Sequence, residues 1–179
     1  ATMRRNRIRA AALAIGGLVV ALSLLAPLLA THDPRATSPD TQLEPPSRNH
    51  LFGTDLLGRD VFSRVLYGGR RTLGVALLSA LVMLAPGLLI GTVAGFAGGW
   101  FDTALMTALD AMLAVPPLVL ALALVALFGS GSVQIAVAVG IAGIPSYGRV
   151  ARAVVLEARS RPFVEAARAI GARPTGVLQ

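Results

Sequence analysis

The apolar positions of this chain lie in long runs. They show neither the two-residue alternation of a half-buried strand nor the 3.6-residue period of a soluble amphipathic helix. The first run extends from Ile8 to Ala30 with no charge after Arg9. Its roughly 23 residues, at about 1.5 Å each, are enough to cross a ~30 Å hydrocarbon core. A signal peptide is the competing reading, because Arg4, Arg5, Arg7 and Arg9 make a basic flank. The run is longer than a typical signal-peptide core, which favours a retained span.

Residues 31–57 change character. Pro34, Pro39, Pro45 and Pro46 sit among Asp, Ser, Thr and Asn, a loop composition. Gly58 to Arg71 reads as an amphipathic segment, with Val61, Val65 and Leu66 opposite Arg59, Asp60 and Arg64. A second span is expected over Thr72–Phe96, uncharged, with Pro86 inside it. There Gly87, Gly91, Gly95 and Gly99 recur every fourth residue. They make a stripe on which another backbone can pack closely; lining a pathway is the secondary reading. A third span is expected over Thr103–Phe128, kinked at Pro116 and Pro117. Asp110 lies inside it, about 12 Å along the axis from Asp102. A carboxylate there has two readings, a role in transport and an interfacial or capping role. After the turn Gly129-Ser130-Gly131-Ser132, a fourth span starts near Val133 and continues past Pro145 toward Leu156. Arg149 and Arg152 are expected to snorkel to the headgroups.

Composition agrees with this all-α, polytopic membrane reading. Hydrophobic residues make up 55% of the 179 and charged residues 14%, against about a quarter charged in a soluble domain. The net charge is +7, and all of the 16 basic residues are arginine. Arginines flanking spans anchor them and set topology. No basic stripe interleaved with aromatics points to nucleic acid. The lack of lysine removes the residue that a Walker A loop needs to reach the phosphates, so any ATP-driven function requires a partner subunit. There is no cysteine, hence neither disulfide nor thiolate metal site. His32 and His50 have no ligand-spaced companion in the sequence and read as ordinary polar loop residues. Ser63 has no base placed beside it by sequence. Nothing therefore points to an enzyme. Arginine counts favour cytoplasmic termini. The N-terminal tail has four and the segment from Arg149 onward six, against six in the connection between the first two spans.

The last residues carry a distinct pattern. Ser160-Arg161-Pro162 is a helix start. Phe163, Ala166, Ala167 and Ile170 then form one apolar stripe, with Arg161, Glu165 and Arg168 on the polar side. Gly171 is placed to close the helix in a left-handed cap and Pro174 to block its continuation. A helix this short is marginal alone. It suits a groove on another protein or the membrane surface.

Glu165-Ala166-Ala167 followed by Gly171 resembles the cytoplasmic coupling loop of ABC importer permeases. Further segments resemble the second, C-type permease subunit of the dipeptide/oligopeptide/nickel branch. They are Asn49-His50-Leu51-Phe52-Gly53-Thr54-Asp55, Leu57-Gly58-Arg59-Asp60-Val61-Phe62-Ser63-Arg64, Gly98-Gly99-Trp100-Phe101-Asp102, Asp110-Ala111-Met112-Leu113-Ala114-Val115-Pro116 and Pro145-Ser146-Tyr147-Gly148-Arg149. The resemblance implies three parts: residues 1–30 as tail and first span, 31–71 as an extracytoplasmic loop, and 72–179 as permease core. It implies a type I permease fold of six spans, about four of them here. Family members continue with two more spans, whereas this sequence stops at Gln179, so the expectation is a truncated chain. The implied assembly contains a second permease subunit, two ATP-binding subunits that hold ATP and Mg, and an extracytoplasmic solute-binding protein. The implied location is the bacterial inner membrane with a cytoplasmic N-terminus. Phe163, Glu165, Ala166, Ala167, Arg168, Ile170 and Gly171 would make the ATPase contact, and Asp110, Pro116 and Pro117 would be pathway or hinge residues. The implied cargo is a peptide, with nickel or another small solute as the alternative. Outside the family, an ion-coupled secondary transporter and a membrane scaffold are the rival readings.

Overall fold

A computed structural model describes residues 2–161 of the chain, with side chains from residue 6 onward. Helices dominate the described residues. They are α1 (Thr2–Leu24), the short α2 (Ala26–Leu29), α3 (Val61–Ala97), α4 (Gly99–Leu113), α5 (Pro117–Phe128) and α6 (Ser132–Arg159). Extended pairing among them is limited to an isolated bridge between Thr54 and Asp60. Three helices are individually long and apolar enough to cross a membrane, and α4 with α5 makes a fourth candidate if counted as one broken span. Large apolar side chains such as Leu13, Leu77, Leu89, Leu118 and Leu127 stand exposed on these helices. Lipid is the solvent that suits such a surface. The all-helical, multi-span architecture expected from the hydropathy pattern is thus what the chain adopts.

The chain divides into two units, 1–75 and 76–179. In the first, α1 stops at Leu24, and Pro27 sits in the first turn of the separate α2, where its missing N–H costs nothing. The loop that follows is built from short polar contacts. Asp55 Oδ1 accepts the backbone N–H groups of Leu57 (2.9 Å) and Arg59 (3.1 Å), and Oδ2 accepts Arg59 Nε at 2.8 Å. Burial raises the Asp55 carboxyl pKa, but these bonds outweigh it and hold the group below its usual value. Gly58 has φ +69°, and a Cβ there would run into Ser38, so both conformation and space demand glycine. Asp60 begins α3 as an N-cap, its Oδ2 accepting the Ser63 N–H at 2.8 Å.

Three local expectations are corrected. The amphipathic segment before the second span is not separate: α3 runs unbroken from Val61 through Pro86 to Ala97. Its buried positions at this end are Ser63 and Leu66, whereas Val65 is exposed. The third span is two helices rather than one kinked helix, since α4 and α5 meet at 81°. Pro117 opens α5 and Pro116 precedes it in an extended conformation (ψ 132°). A proline excludes its predecessor from the α region and cannot donate to the turn before it. Two consecutive prolines therefore end one helix and start another.

In the second unit α3 and α6 meet through small residues. Gly87, Gly91 and Gly95 face Tyr147, Gly148, Ala151 and Val155 of α6. The fit is mutual, because Gly140 of α6 lies against Val82 and the Ser79 carbonyl of α3. A Cβ on Gly91 would meet the Gly148 carbonyl and come within 2.7 Å of the Ala151 Cβ. Relief would require moving backbone. Gly91→Val should therefore destabilise the core by about 1–3 kcal/mol, the usual cost of overpacking. It should lower the thermal midpoint of the detergent-solubilised protein. Gly74→Ala, with open space around it, serves as the neutral comparison. A Gly91→Val protein as heat-stable as the parent would refute the close packing.

Candidate functional site: the clamp on the last helix

The charged groups of the second unit converge on α6. Arg152 donates from Nε to Asp102 Oδ1 (2.6 Å) and from a terminal nitrogen to Asp102 Oδ2 (2.7 Å). This is a two-pronged guanidinium–carboxylate pair, the strongest geometry such groups form. Asp102 is buried on the first turn of α4, where a negative charge also suits the helix dipole. Half a helix away, Arg149 donates to Asp110 through Nε (3.2 Å) and through a terminal nitrogen. Asp110 sits in the last turn of α4, the end at which a lone carboxylate is disfavoured. The Arg149 cation offsets that. As residue number rises along α4 it falls along α6, so the two helices run antiparallel between these pairs. Met106, Asp110, Arg149 and Arg152 line a cleft of about 260 Å³.

A third arginine closes the other contact of α6. Arg159 donates to the carbonyl oxygens of Gly95 (2.6 Å) and Phe96 (3.2 Å). These belong to the last turn of α3, whose final carbonyls have no partner within the helix. A cation there satisfies them and complements the dipole. On the same helix, Pro145, Gly148 and Ala151 are buried. Thus α6 is held to α4 by two ion pairs and to α3 by the glycine seam and the Arg159 cap. Its last residue is followed at once by Ser160 and Arg161.

The structure places the sequence-derived candidates unevenly. Gly87, Gly91 and Gly95 lie together on the α3–α6 seam. Asp110 is on α4, with Pro116 and Pro117 at the break after it. The residues expected to make the coupling contact, Phe163, Glu165, Ala166, Ala167, Arg168, Ile170 and Gly171, lie outside the described residues. Sequence reasoning missed the ion pairs. Arg149 and Arg152 were expected to reach for headgroups, but their partners are carboxylates on α4. The available signal was the balance of charge: two acids on one apolar helix and two arginines a turn apart on another, groups that pair when a membrane segment holds both.

Comparison with known proteins adds independent findings. Residues 87–178 match the family model described as binding-protein-dependent transport system inner membrane component. Residues 1–46 match the N-terminal TM domain of oligopeptide transport permease C. Among curated relatives, the dipeptide transport system permease protein of Alkalihalophilus pseudofirmus is 35% identical over 169 residues, covering 94% of this chain and 56% of the relative. The di/tripeptide transport system permease protein of Pseudomonas aeruginosa is 39% identical, covering 89% and 56%. The glutathione transport system permease protein of Pectobacterium atrosepticum is 40% identical, covering 75% and 45%. The chain spans about half the length of the curated relatives it matches.

The clamp makes a direct prediction. Asp102→Asn and Arg152→Gln should each lower the thermal midpoint, because each leaves its partner without a counter-charge. The double variant should be no less stable than the worse single one, a coupling that a double-mutant cycle reads. Losses that simply add would mean that the pair does not act as a unit.

Proposed function

We propose that this chain, which belongs to the family of binding-protein-dependent transport system inner membrane components, forms part of the translocation pathway of an ATP-driven importer for di- or oligopeptides. The observation that carries the proposal is the family match over residues 87–178, which takes in the α3–α6 clamp and the 162–171 segment together. Peptide cargo is supported by relatives whose names specify dipeptide, di/tripeptide and glutathione transport. The match of residues 1–46 to a transmembrane domain supports a retained first span. Arginine distribution supports cytoplasmic termini in the inner membrane.

In this reading a second permease subunit completes the pathway and a solute-binding protein delivers cargo from outside. Two ATP-binding subunits, holding ATP and Mg, dock on residues 162–171. Phe163, Ala166, Ala167 and Ile170 present the apolar stripe, Glu165 and Arg168 give polar contacts, and Gly171 closes the helix. This chain performs no covalent chemistry. Its part is mechanical. Closure of the ATPases displaces the coupling segment, and α6 ends at Arg159, just before Ser160 and Arg161 lead into that segment. Because α6 is fastened to α4 by Arg149 and Arg152 and to α3 by the seam and Arg159, the displacement carries the three together. Alternating access then follows as rigid-body motion. A gradient-driven carrier would hold an ionisable group in reserve for its coupling ion. The pairing of Asp110 with Arg149 weighs against that.

The test is co-purification from membranes in mild detergent with the tag on this chain. A Walker-containing ATPase should come with it. Glu165→Arg should weaken the association by about 10-fold, equivalent to about 1.4 kcal/mol. Recovery of the chain alone, or an ATPase yield unchanged by charge reversal, would overturn the docking assignment.

A further inference from the structure

We propose that the loop after the first span holds a binding site for a late first-row divalent cation of the zinc type, formed by His32, His50 and Asp60. Each of the three offers one ligand atom, and these atoms lie within 4.8 Å of one another. His32 follows the first span directly, His50 lies in the middle of the loop, and Asp60 is the cap of α3. The fold of the first unit thus gathers residues far apart in sequence. His50 Nδ1 and Asp60 Oδ1 are 3.0 Å apart. That is close to the ~3.3 Å edge of a tetrahedron built on metal–ligand bonds of about 2.0–2.1 Å. The longest separation involves closure by only about 1.5 Å to reach the same edge. His32 is exposed, and its ring Nδ1 is bonded to the Thr31 hydroxyl. Rotation of this exposed side chain would bring it in.

The surroundings are those of a supported ligand set. Asp60 is 2% exposed, and its Oδ2 is fixed by the Ser63 N–H, leaving Oδ1 toward the imidazole. The Ser63 hydroxyl in turn accepts the His32 backbone N–H at 3.1 Å. One buried serine thus positions two of the three ligands, as outer-shell residues of metal sites do. The His32 and His50 rings lie 4.7 Å apart, centre to centre, at 31°. Two imidazoles and a carboxylate suit zinc, nickel or copper rather than magnesium or calcium, which take oxygen ligands. Three protein ligands leave a fourth position open. A bound ion would join the end of the first span to the start of α3 through the loop and hold that loop in one shape.

The test uses the full chain in its assembled membrane complex, purified through a histidine-free tag and stripped with chelator. Zn2+ is titrated at pH 7.5, and bound metal is read by elemental analysis. Co2+ in its place gives the visible absorption of a tetrahedral nitrogen–oxygen site. One equivalent of Zn2+ per chain is expected. His32→Ala, at an exposed position, should weaken binding by more than about 10-fold, the lower end of what loss of even an outer-shell partner costs. His32→Cys, which keeps a ligand, should retain the metal. No retained equivalent in the parent, or equal binding by His32→Ala, would overturn the site and leave His50–Asp60 as a structural hydrogen bond.

Discussion

Close approach of two helix backbones is the constraint on which the second unit depends. Inside a bilayer, apolar side chains gain little by meeting each other rather than lipid, so association rests on packing and polar contacts. The absence of side chains at Gly91 and Gly140 lets α3 and α6 come near enough for dispersion to accumulate over the seam. That approach also brings Arg159 within reach of the carbonyls that end α3. A bulkier seam would part the helices and leave those carbonyls without a donor.

The ion pairs follow from the same economy of the apolar environment. An isolated arginine or aspartate in a spanning segment is costly, and a matched pair much less so. Asp102–Arg152 and Asp110–Arg149 fix the register of α4 against α6 at two points. Two points define a line where one would leave a pivot. A helix held this way moves with its neighbours, as the proposed coupling role requires. The break at Pro116 and Pro117 separates α4, which carries the clamp, from α5, which packs along α6 beyond the turn at Gly129.

Much of the fold was legible in the sequence because a membrane permits few solutions. Ile8–Ala30, Thr72–Phe96 and the run from Val133 announce spans by length and lack of charge, and helices stand there. Other features were hidden for identifiable reasons. The two prolines foretold a kink, but local rules do not fix an angle, and the 81° turn depends on what α4 and α5 pack against. Beyond the balance of charge, nothing in the sequence matched Arg149 and Arg152 to their partners, because the pairing joins residues that are 39 and 50 apart. His32, His50 and Asp60 share no motif spacing. Only the path of the loop, with its left-handed turns at Gly53 and Gly58, brings them together. Val65 was misplaced because periodicity names a face but not its neighbour. Residues 162–171, the proposed coupling segment, were the clearest signal of function in the sequence, and they lie outside the described residues.

The central claim is that α6 transmits motion because it is fastened, and Arg159→Ala tests it most directly. In proteoliposomes of the assembled complex with its solute-binding protein, ATP hydrolysis and peptide uptake would be measured side by side. The account predicts that hydrolysis persists while uptake per ATP falls by about 10-fold, as expected if about 1.4 kcal/mol of fastening is lost. An unchanged ratio of peptide moved to ATP hydrolysed, in a variant assembled to the same level, would contradict it.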